Sequence, residues 1–444
     1  MENKRNTLKV GQETALLVNV ALPDSDIDPV DSLDELAALA EAVDAVVVDR
    51  VVQRRPHPHP AHYVGHGKAQ EIALRAQHYG ANTIIFDNDL SPAQIRELET
   101  ITHCKVIDRS ELILDIFATR ARTHEAKLQV ELAQLQYTYP RLTRMWSHLD
   151  TVVGAAAAAA GAVGGIGTRG PGEKQLEIDR RLVQKRLAQL RRQINQIDRR
   201  KQRQVRSRSE NFTVSLVGYT NAGKSTLLNL LTGSEAYVEH KLFATLDTKT
   251  ARWILDRDIS VLLSDTVGFI RNLPHHLVAS FQATLEEAIH ADLLLHVVDA
   301  SHPQADQQLQ AAHKVLEEIH CHKKDILLVL NKIDRRPNPT IDTMMTLYPE
   351  AIPVSARKGL GIEKLAEAVT YRVTGEKLRL RISCNQTDGH IPNFLRAHGA
   401  IISEDYTDSR ITLEAYLGRR QLPNLKRLKP HTCQIISNPA PDST

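Results

Sequence analysis

Residues Thr213–Asn229, TVSLVGYTNAGKSTLLN, constrain what this chain can fold into more than any other stretch. Val214, Leu216 and Val217 form a short apolar run that reads as a strand. Gly218-x-x-x-x-Gly223-Lys224-Ser225 follows, and Leu227 and Leu228 continue it as a helix. This is a P-loop in the strand–loop–helix context that the motif requires. Gly218 and Gly223 let the backbone turn so that several N–H groups face one point, at a helix N-terminus that favours an anion. The expected cradle runs through Gly218, Tyr219, Thr220, Asn221, Ala222, Gly223, Lys224, Ser225 and Thr226. Lys224 would reach the β- and γ-phosphates, and the Ser225 hydroxyl would ligate Mg²⁺.

Further segments follow in an order that adds weight to the loop. In Phe243-Ala244-Thr245-Leu246-Asp247 the threonine offers a hydroxyl to Mg²⁺ and an N–H to the γ-phosphate. Asp265-Thr266-Val267-Gly268 follows the β-rich run Ile259–Leu263. There the acid serves Mg²⁺ and the Gly268 N–H senses the γ-phosphate, so both segments lose contacts when that phosphate leaves. Lys224, Thr245 and Gly268 are the expected catalytic groups, and Ser225 and Thr245 the expected metal ligands. Leu293–Val298 and Ile326–Leu330 read as buried strands, the second ending in Asn331-Lys332-Ile333-Asp334. The Asp334 carboxylate can accept from guanine N1–H and the exocyclic amine together, a donor pair adenine lacks. Asn331 suits the ring's other edge, the Lys332 stem can cover the base, and a backbone N–H of Ser355-Ala356-Arg357 suits guanine O6.

Upstream, strand patterns at Thr14–Leu22, Ala45–Val52, Thr83–Phe86 and Cys104–Ile107 alternate with helical ones at Asp31–Val43, Glu71–His78 and Ser91–Thr100. This predicts a small α/β domain with a partly parallel sheet. The Pro56–Pro60 loop, with His62 and His66 near it, reads as a stiff surface loop because no acidic or Cys ligand accompanies the histidines. From Ser110 to about Tyr137 the pattern is continuously helical, with Leu128, Leu132 and Leu135 on one face. A second long helix begins near Glu173, with Leu176, Val183, Leu187, Leu190, Ile194 and Ile197 on its seam. The pair suggests an antiparallel helical hairpin. Arg180–Arg208 makes the second helix strongly basic, and Gly154–Gly172 makes its connection glycine-rich. A slim, flexible tip on a cationic stalk fits a narrow, negatively charged cavity, and RNA is the expected partner.

The segments GYTNAGKST, FATLD, DTVGFIRNLPHHLVASFQATLEEA, NKID and SAR, with GGIGTRGPGEKQLEIDRR upstream, resemble the HflX family of ribosome-associated GTPases over about residues 10–372. The resemblance implies an HflX-type N-terminal domain with a helical stalk, then a Ras-like G domain. It also implies binding to the large ribosomal subunit and GTP-dependent splitting or rescue of stalled ribosomes. Asn221 stands where potassium-activated relatives ligate a monovalent ion, so K⁺ joins Mg²⁺ as an expected cofactor. Phe269 stands where Ras-type enzymes place the glutamine that orients water, which implies slow intrinsic hydrolysis. Lys174 and Asp247-Thr248-Lys249-Thr250 depart from the family's usual threonine and Asp-Pro-Thr-Thr.

The expected fold is therefore a multidomain α/β chain. An N-terminal α/β subdomain covers 1–109 and a helical hairpin 110–208. A P-loop GTPase domain covers 211–373, and a small C-terminal α/β domain with a disordered tail covers 374–444. In the last, strands are expected at Leu378–Ile382, Ala400–Ser403 and Ile411–Tyr416, and helices at His390–Ala397 and Arg420–Leu428. A 42% hydrophobic and 25% charged composition is that of a globular protein, and a net charge of +3 selects no partner by itself. The four cysteines lie far apart without a CxxC pair, which argues for a reducing compartment and against zinc. The N-terminal residues lack the apolar core of a signal peptide, and Val152–Val163 is too short to span a bilayer, so a cytoplasmic protein without membrane insertion is expected; a monomer is expected as well. An ATP-driven RNA-remodelling enzyme and a non-catalytic RNA-binding regulator that uses GTP as a structural ligand are the competing readings.

Overall fold

The computed structural model describes residues 13–23, 28–139, 180–197, 212–234, 243, 249–256, 259–270, 287–319, 321, 324–375, 377–386, 388–407 and 409–436. The chain divides into two units. One comprises Met1–Ser207 with Tyr237–Thr248 and Val267–Glu286; the other comprises Arg208–Ala236, Lys249–Thr266 and Glu287–Thr444. The glycine-rich segment 154–172, residues 198–208 of the basic stretch and the tail from Asn438 lie outside the described residues.

In the first unit, β1 (Thr14–Ala21), β2 (Val46–Arg54), β3 (Thr83–Phe86) and β4 (Lys105–Asp108) form a four-stranded sheet in the order β2-β1-β3-β4. Every pair is parallel, more uniformly than the sequence suggests. Each successive pair of strands is joined by a crossover helix: α1 (Pro29–Ala42), α2 (His66–Tyr79) and α3 (Pro92–Thr102). The starts of these helices are set locally. Asp28 accepts from the Val30 N–H, and Ser91 and Gln94 form a reciprocal capping box. β1 is buried on both faces, with Ala15 and Leu17 toward one core and Leu16 and Val18 toward the other. That is why it reads as a continuous apolar run.

The continuous helix expected from Ser110 to Tyr137 is broken. α4 (Arg109–Arg120) ends at Ala121, whose backbone is extended, and α5 resumes over residues 124–139. The Thr123 hydroxyl accepts from the Ala126 N–H and starts the new helix. α4 is anchored by Arg109, whose guanidinium meets Asp87 at 2.7 Å and Glu35 at 3.2 Å in a buried ion-pair group. α6, residues 180–197, packs Leu187, Leu190 and Ile194 against Leu128 and Leu132 of α5. Tyr139 accepts from Arg180 at 2.8 Å, while the earlier residue Glu131 holds Arg186 through both carboxylate oxygens at 2.7 Å. Arg186 is thus engaged in helix packing. Arg181, Lys185, Arg191 and Arg192 point to solvent.

The second unit contains β5 (Thr213–Val217), α7 (Lys224–Thr232), β6 (Lys249–Asp256), β7 (Ile259–Asp265), β8 (Leu293–Asp299) and α8 (Ala305–Glu318). It continues through β9 (Asp325–Asn331), α9 (Pro339–Leu347), β10 (Ile352–Pro353) and α10 (Ile362–Thr374). The six-stranded sheet has the order β10-β9-β8-β5-β7-β6. Only β6 runs antiparallel. Its core joins Leu216, Leu227, Leu263, Leu295 and Val329, all fully buried. Each leucine contributes about 2 kcal/mol by leaving water. After β5 the chain builds one side of the sheet through β7 and the other through β8. That reversal puts a crevice at the carboxyl end of β5, where open α/β sheets bind ligands.

A third sheet follows in the same unit: β11 (Lys377–Asn385), α11 (His390–His398), β12 (Gly399–Thr407), β13 (Arg410–Gly418), α12 (Leu422–Arg427) and β14 (Thr432–Ile435). Its order is β12-β13-β11-β14, antiparallel throughout. The final strand is absent from the sequence-based expectation. It is short, it follows Pro430, and its Ile435 is 57% exposed, so its alternation is weak. Among the described residues, no helix is long and apolar enough to cross a membrane.

Candidate functional site

The phosphate loop sits at the end of β5, and the requirement for glycine there is steric. Gly218 has φ +142, and a Cβ on it would lie 2.2 Å from the Val297 carbonyl oxygen. Gly223 has φ +94, and a Cβ there would lie 2.3 Å from Asn331 Nδ2. Gly223 also serves as the N-cap of α7 and offers no side-chain acceptor. The N–H groups of the first turn of α7 therefore face the loop without a capping side chain, which is the geometry of an anion site. Asn221 sits at φ +59 and is exposed at the loop's crest.

Lys224 is 6% exposed and folds back over the loop, donating to the Gly218 carbonyl at 3.0 Å and the Tyr219 carbonyl at 2.9 Å. Burial pushes its ammonium down to about 8, partly opposed by the Asp265 carboxylate. Ser225 Oγ donates to Asp265 Oδ2 at 2.5 Å. A hydroxyl and a carboxylate oxygen in contact form a hard donor pair suited to Mg²⁺. Thr266 is fully buried, and its hydroxyl donates to the Leu216 carbonyl at 2.7 Å, which ties the end of β7 to β5.

The other wall is built from the ends of β9 and β10. Asn331 is 2% exposed; its Nδ2 donates to the Ala222 carbonyl at 2.8 Å and its Oδ1 accepts from the Ala356 N–H at 3.0 Å. It clamps the phosphate loop to the Ser355–Arg357 segment and keeps one amide hydrogen for a ligand. Of the Ser355–Arg357 backbone N–H groups, one of which was expected to meet a base oxygen, that of Ala356 is engaged by Asn331. Asp334 accepts from the Ser355 hydroxyl at 2.6 Å. That bond, more than Lys358 and Arg335 nearby, holds its carboxyl below the usual carboxylate range. Lys332 lies in the left-handed region at φ +67, and its ammonium meets Asp299 Oδ2 at 2.7 Å. The Asp299 and Ser355 side-chain roles escaped the sequence reading. The available signal was an acid at the end of β8, in register with Asn331.

His296 of β8 is 1% exposed and makes no side-chain hydrogen bond among the described residues. Burial, then His313 and Lys224, push it down to about 3, so it is neutral at physiological pH.

The remaining expected positions fall elsewhere. Ala244, Thr245, Leu246 and Asp247 lie outside the described residues. Phe243 and Val267 belong to the core of the first unit, with Ile270. Phe243 adopts φ +55, an outlier for a bulky side chain, and its ring meets Phe117 edge-on at 4.6 Å. Gly268 and Phe269 are buried in that stretch.

A phosphate loop at the switch point of a mostly parallel sheet, with an Asn-Lys-x-Asp element at the end of β9, two strands away, defines the class: a guanine-nucleotide P-loop hydrolase. The chain matches the family models for the GTP-binding GTPase N-terminal region over residues 30–118 and its middle region over 120–208. It matches the 50S ribosome-binding GTPase model over 213–332. It is 47% identical to GTPase HflX of Escherichia coli over 82% of this chain and 84% of that one. It is 42% identical to GTPase HflX of Lacrimispora saccharolytica over 92% and 95%. Among solved structures, a GTP-binding protein from Sulfolobus solfataricus in complex with GDP is 25% identical, with a TM-score of 0.42, covering 82% of this chain and 99% of that one. The chain belongs to the HflX family of GTPases and is a GTP hydrolase.

Proposed function

We propose that the protein couples GTP binding and hydrolysis to engagement of the large ribosomal subunit, and that it splits or rescues stalled ribosomes under stress. The observation that carries this reading is the match of residues 213–332 to a 50S ribosome-binding GTPase model, within a chain similar to HflX along most of its length. The exposed cations of α6, Arg181, Lys185, Arg191 and Arg192, support RNA contact. The segment 154–172 would form the tip of a helical hairpin built from α5 and α6 and enter the RNA. The protein would work as a cytoplasmic monomer, with domains at 1–109, 110–208, 211–373 and 374–444.

In the nucleotide site, Lys224 would leave the Gly218 and Tyr219 carbonyls for the β- and γ-phosphates. Asp334, oriented by Ser355, would read guanine N1–H and its amine. Ser225, Asp265 and Thr245 would hold Mg²⁺, which supplies charge neutralisation at the phosphates. Asn221, at the crest of the loop, would admit K⁺. Hydrolysis needs a positioned water, and Phe269 offers no hydrogen bond for that task, so turnover would be slow until the ribosome accelerates it.

Co-sedimentation with ribosomal subunits under GTP, GDP and a non-hydrolysable analogue tests the reading. Retention on the large subunit with the analogue and release with GDP is expected, together with faster GTP turnover when subunits are added. Equal sedimentation in all nucleotide states, or turnover unaffected by subunits, contradicts it.

A further inference from the structure

Asp299 ends β8 opposite Asn331 in the parallel ladder and is 8% exposed. Neither of its oxygens is idle. Oδ1 accepts from the Ser301 N–H at 3.0 Å and the Ser301 hydroxyl at 2.6 Å, while Oδ2 meets Lys332 Nζ at 2.7 Å. The Ser301 hydroxyl also accepts from Arg335 at 3.2 Å, and the Ser301 carbonyl accepts from Asn338 Nδ2 at 3.0 Å. One short segment after β8 thus holds residues on both sides of Asp334 from outside the base-reading element itself.

We propose that Asp299 is a positioning residue for the guanine base: it acts through Lys332, fixing the lysine stem over the base and keeping its ammonium off Asp334. This rests on the reading that Asn331–Asp334 seats guanine. Charge is crowded there. An Asn-Lys-x-Asp element places a cation two positions from the carboxylate that must accept from the base. Left unpaired, a lysine head has that carboxylate within easy reach of its long stem, and an ion pair between them would occupy the base acceptor. Asp299 removes the competition. The cations that act on Asp334 are Lys358 and Arg335, while the Lys332 ammonium is committed to Asp299. The Ser301 bonds freeze the Asp299 rotamer, so the Lys332 head has one place to go. A residue with φ +67 and an anchored head has little freedom left in its stem.

The test is a double-mutant cycle on the full-length protein, read as the dissociation rate of a fluorescent GDP analogue. Asp299→Asn keeps the shape and removes the charge; it is expected to speed release on the order of tenfold. In a Lys332→Met background the same change is expected to do nothing, because its target is gone. Ser301→Ala, which only loosens the Asp299 rotamer, should speed release less, again only when Lys332 is present; it carries the test if Asp299→Asn does not fold. An unchanged release rate in these variants, or an equal effect with and without Lys332, overturns the proposal. Asp334→Asn is run in parallel with guanine and xanthine nucleotides. If it leaves the preference for guanine intact, the base-reading element itself has been misassigned, a failure separate from that of Asp299.

Discussion

Asn331 and Ala222 are joined by a 2.8 Å hydrogen bond from a buried side-chain amide to a carbonyl of the phosphate loop. Through this bond the base-reading wall and the phosphate-binding wall become one rigid body, because the same side chain also takes the Ala356 N–H. Phosphate affinity and base affinity should therefore fall together. Asn331→Ala strands a buried carbonyl and a buried N–H and is expected to cost about 2–4 kcal/mol of folding stability. Nucleotide affinity should drop at least tenfold for GDP and GTP alike. Urea denaturation and fluorescence titration check this; loss of base selectivity with full stability would contradict the clamp.

The protonation of Lys224 makes nucleotide binding depend on pH. Burial lowers the free-state ammonium to about 8. Bound phosphates favour the cation and raise its pKa, so binding takes up a proton once the pH exceeds the free-state value. Affinity for GTP should be flat between pH 7 and 7.5 and should weaken several-fold by pH 9 at constant ionic strength. Titrations over that range, with Lys224→Met as the control that loses the dependence, decide it. A flat profile contradicts a buried ammonium of this kind.

His296 should make the protein acid-sensitive. Its folded-state pKa is lowered to about 3 from 6.5, so between those values the unfolded chain binds the extra proton. Stability is therefore full above pH 6.5 and is lost as the pH falls toward 3. His296→Leu removes the titrating group without removing any side-chain hydrogen bond among the described residues. Thermal unfolding from pH 7.5 to 5 should show a shallower decline in the variant; identical slopes would rule His296 out as a source.

The parts of the site that were legible in the sequence are those where backbone sterics leave one residue type. Gly218 and Gly223 are fixed by carbonyl and amide atoms lying where a Cβ would go. Lys224 was legible from its place after the glycine loop at the start of α7, and Asp265 and the Asn331–Asp334 run from their place at strand ends. Asp299 and the Ser355 hydroxyl were not, since their work is done across strands and only the fold brings Lys332 and Asp334 to them. The break at Ala121 escaped for a different reason. The apolar spacing continues through it, and the restart depends on one Thr123 hydroxyl. In the first unit the central strands β1 and β3 are buried on both faces while β2 is mostly part-exposed, so hydrophobic runs indicate the wholly parallel sheet only coarsely.

Selective recognition of guanine by Asp334 is the claim on which the account turns. Calorimetric titration of the full-length protein with GTP and with ATP, in Mg²⁺, addresses it directly. GTP should bind on the order of a hundredfold or more tighter, because adenine leaves the Asp334 carboxylate without its donor pair. Equal affinities for the two triphosphates would contradict the assignment of this site.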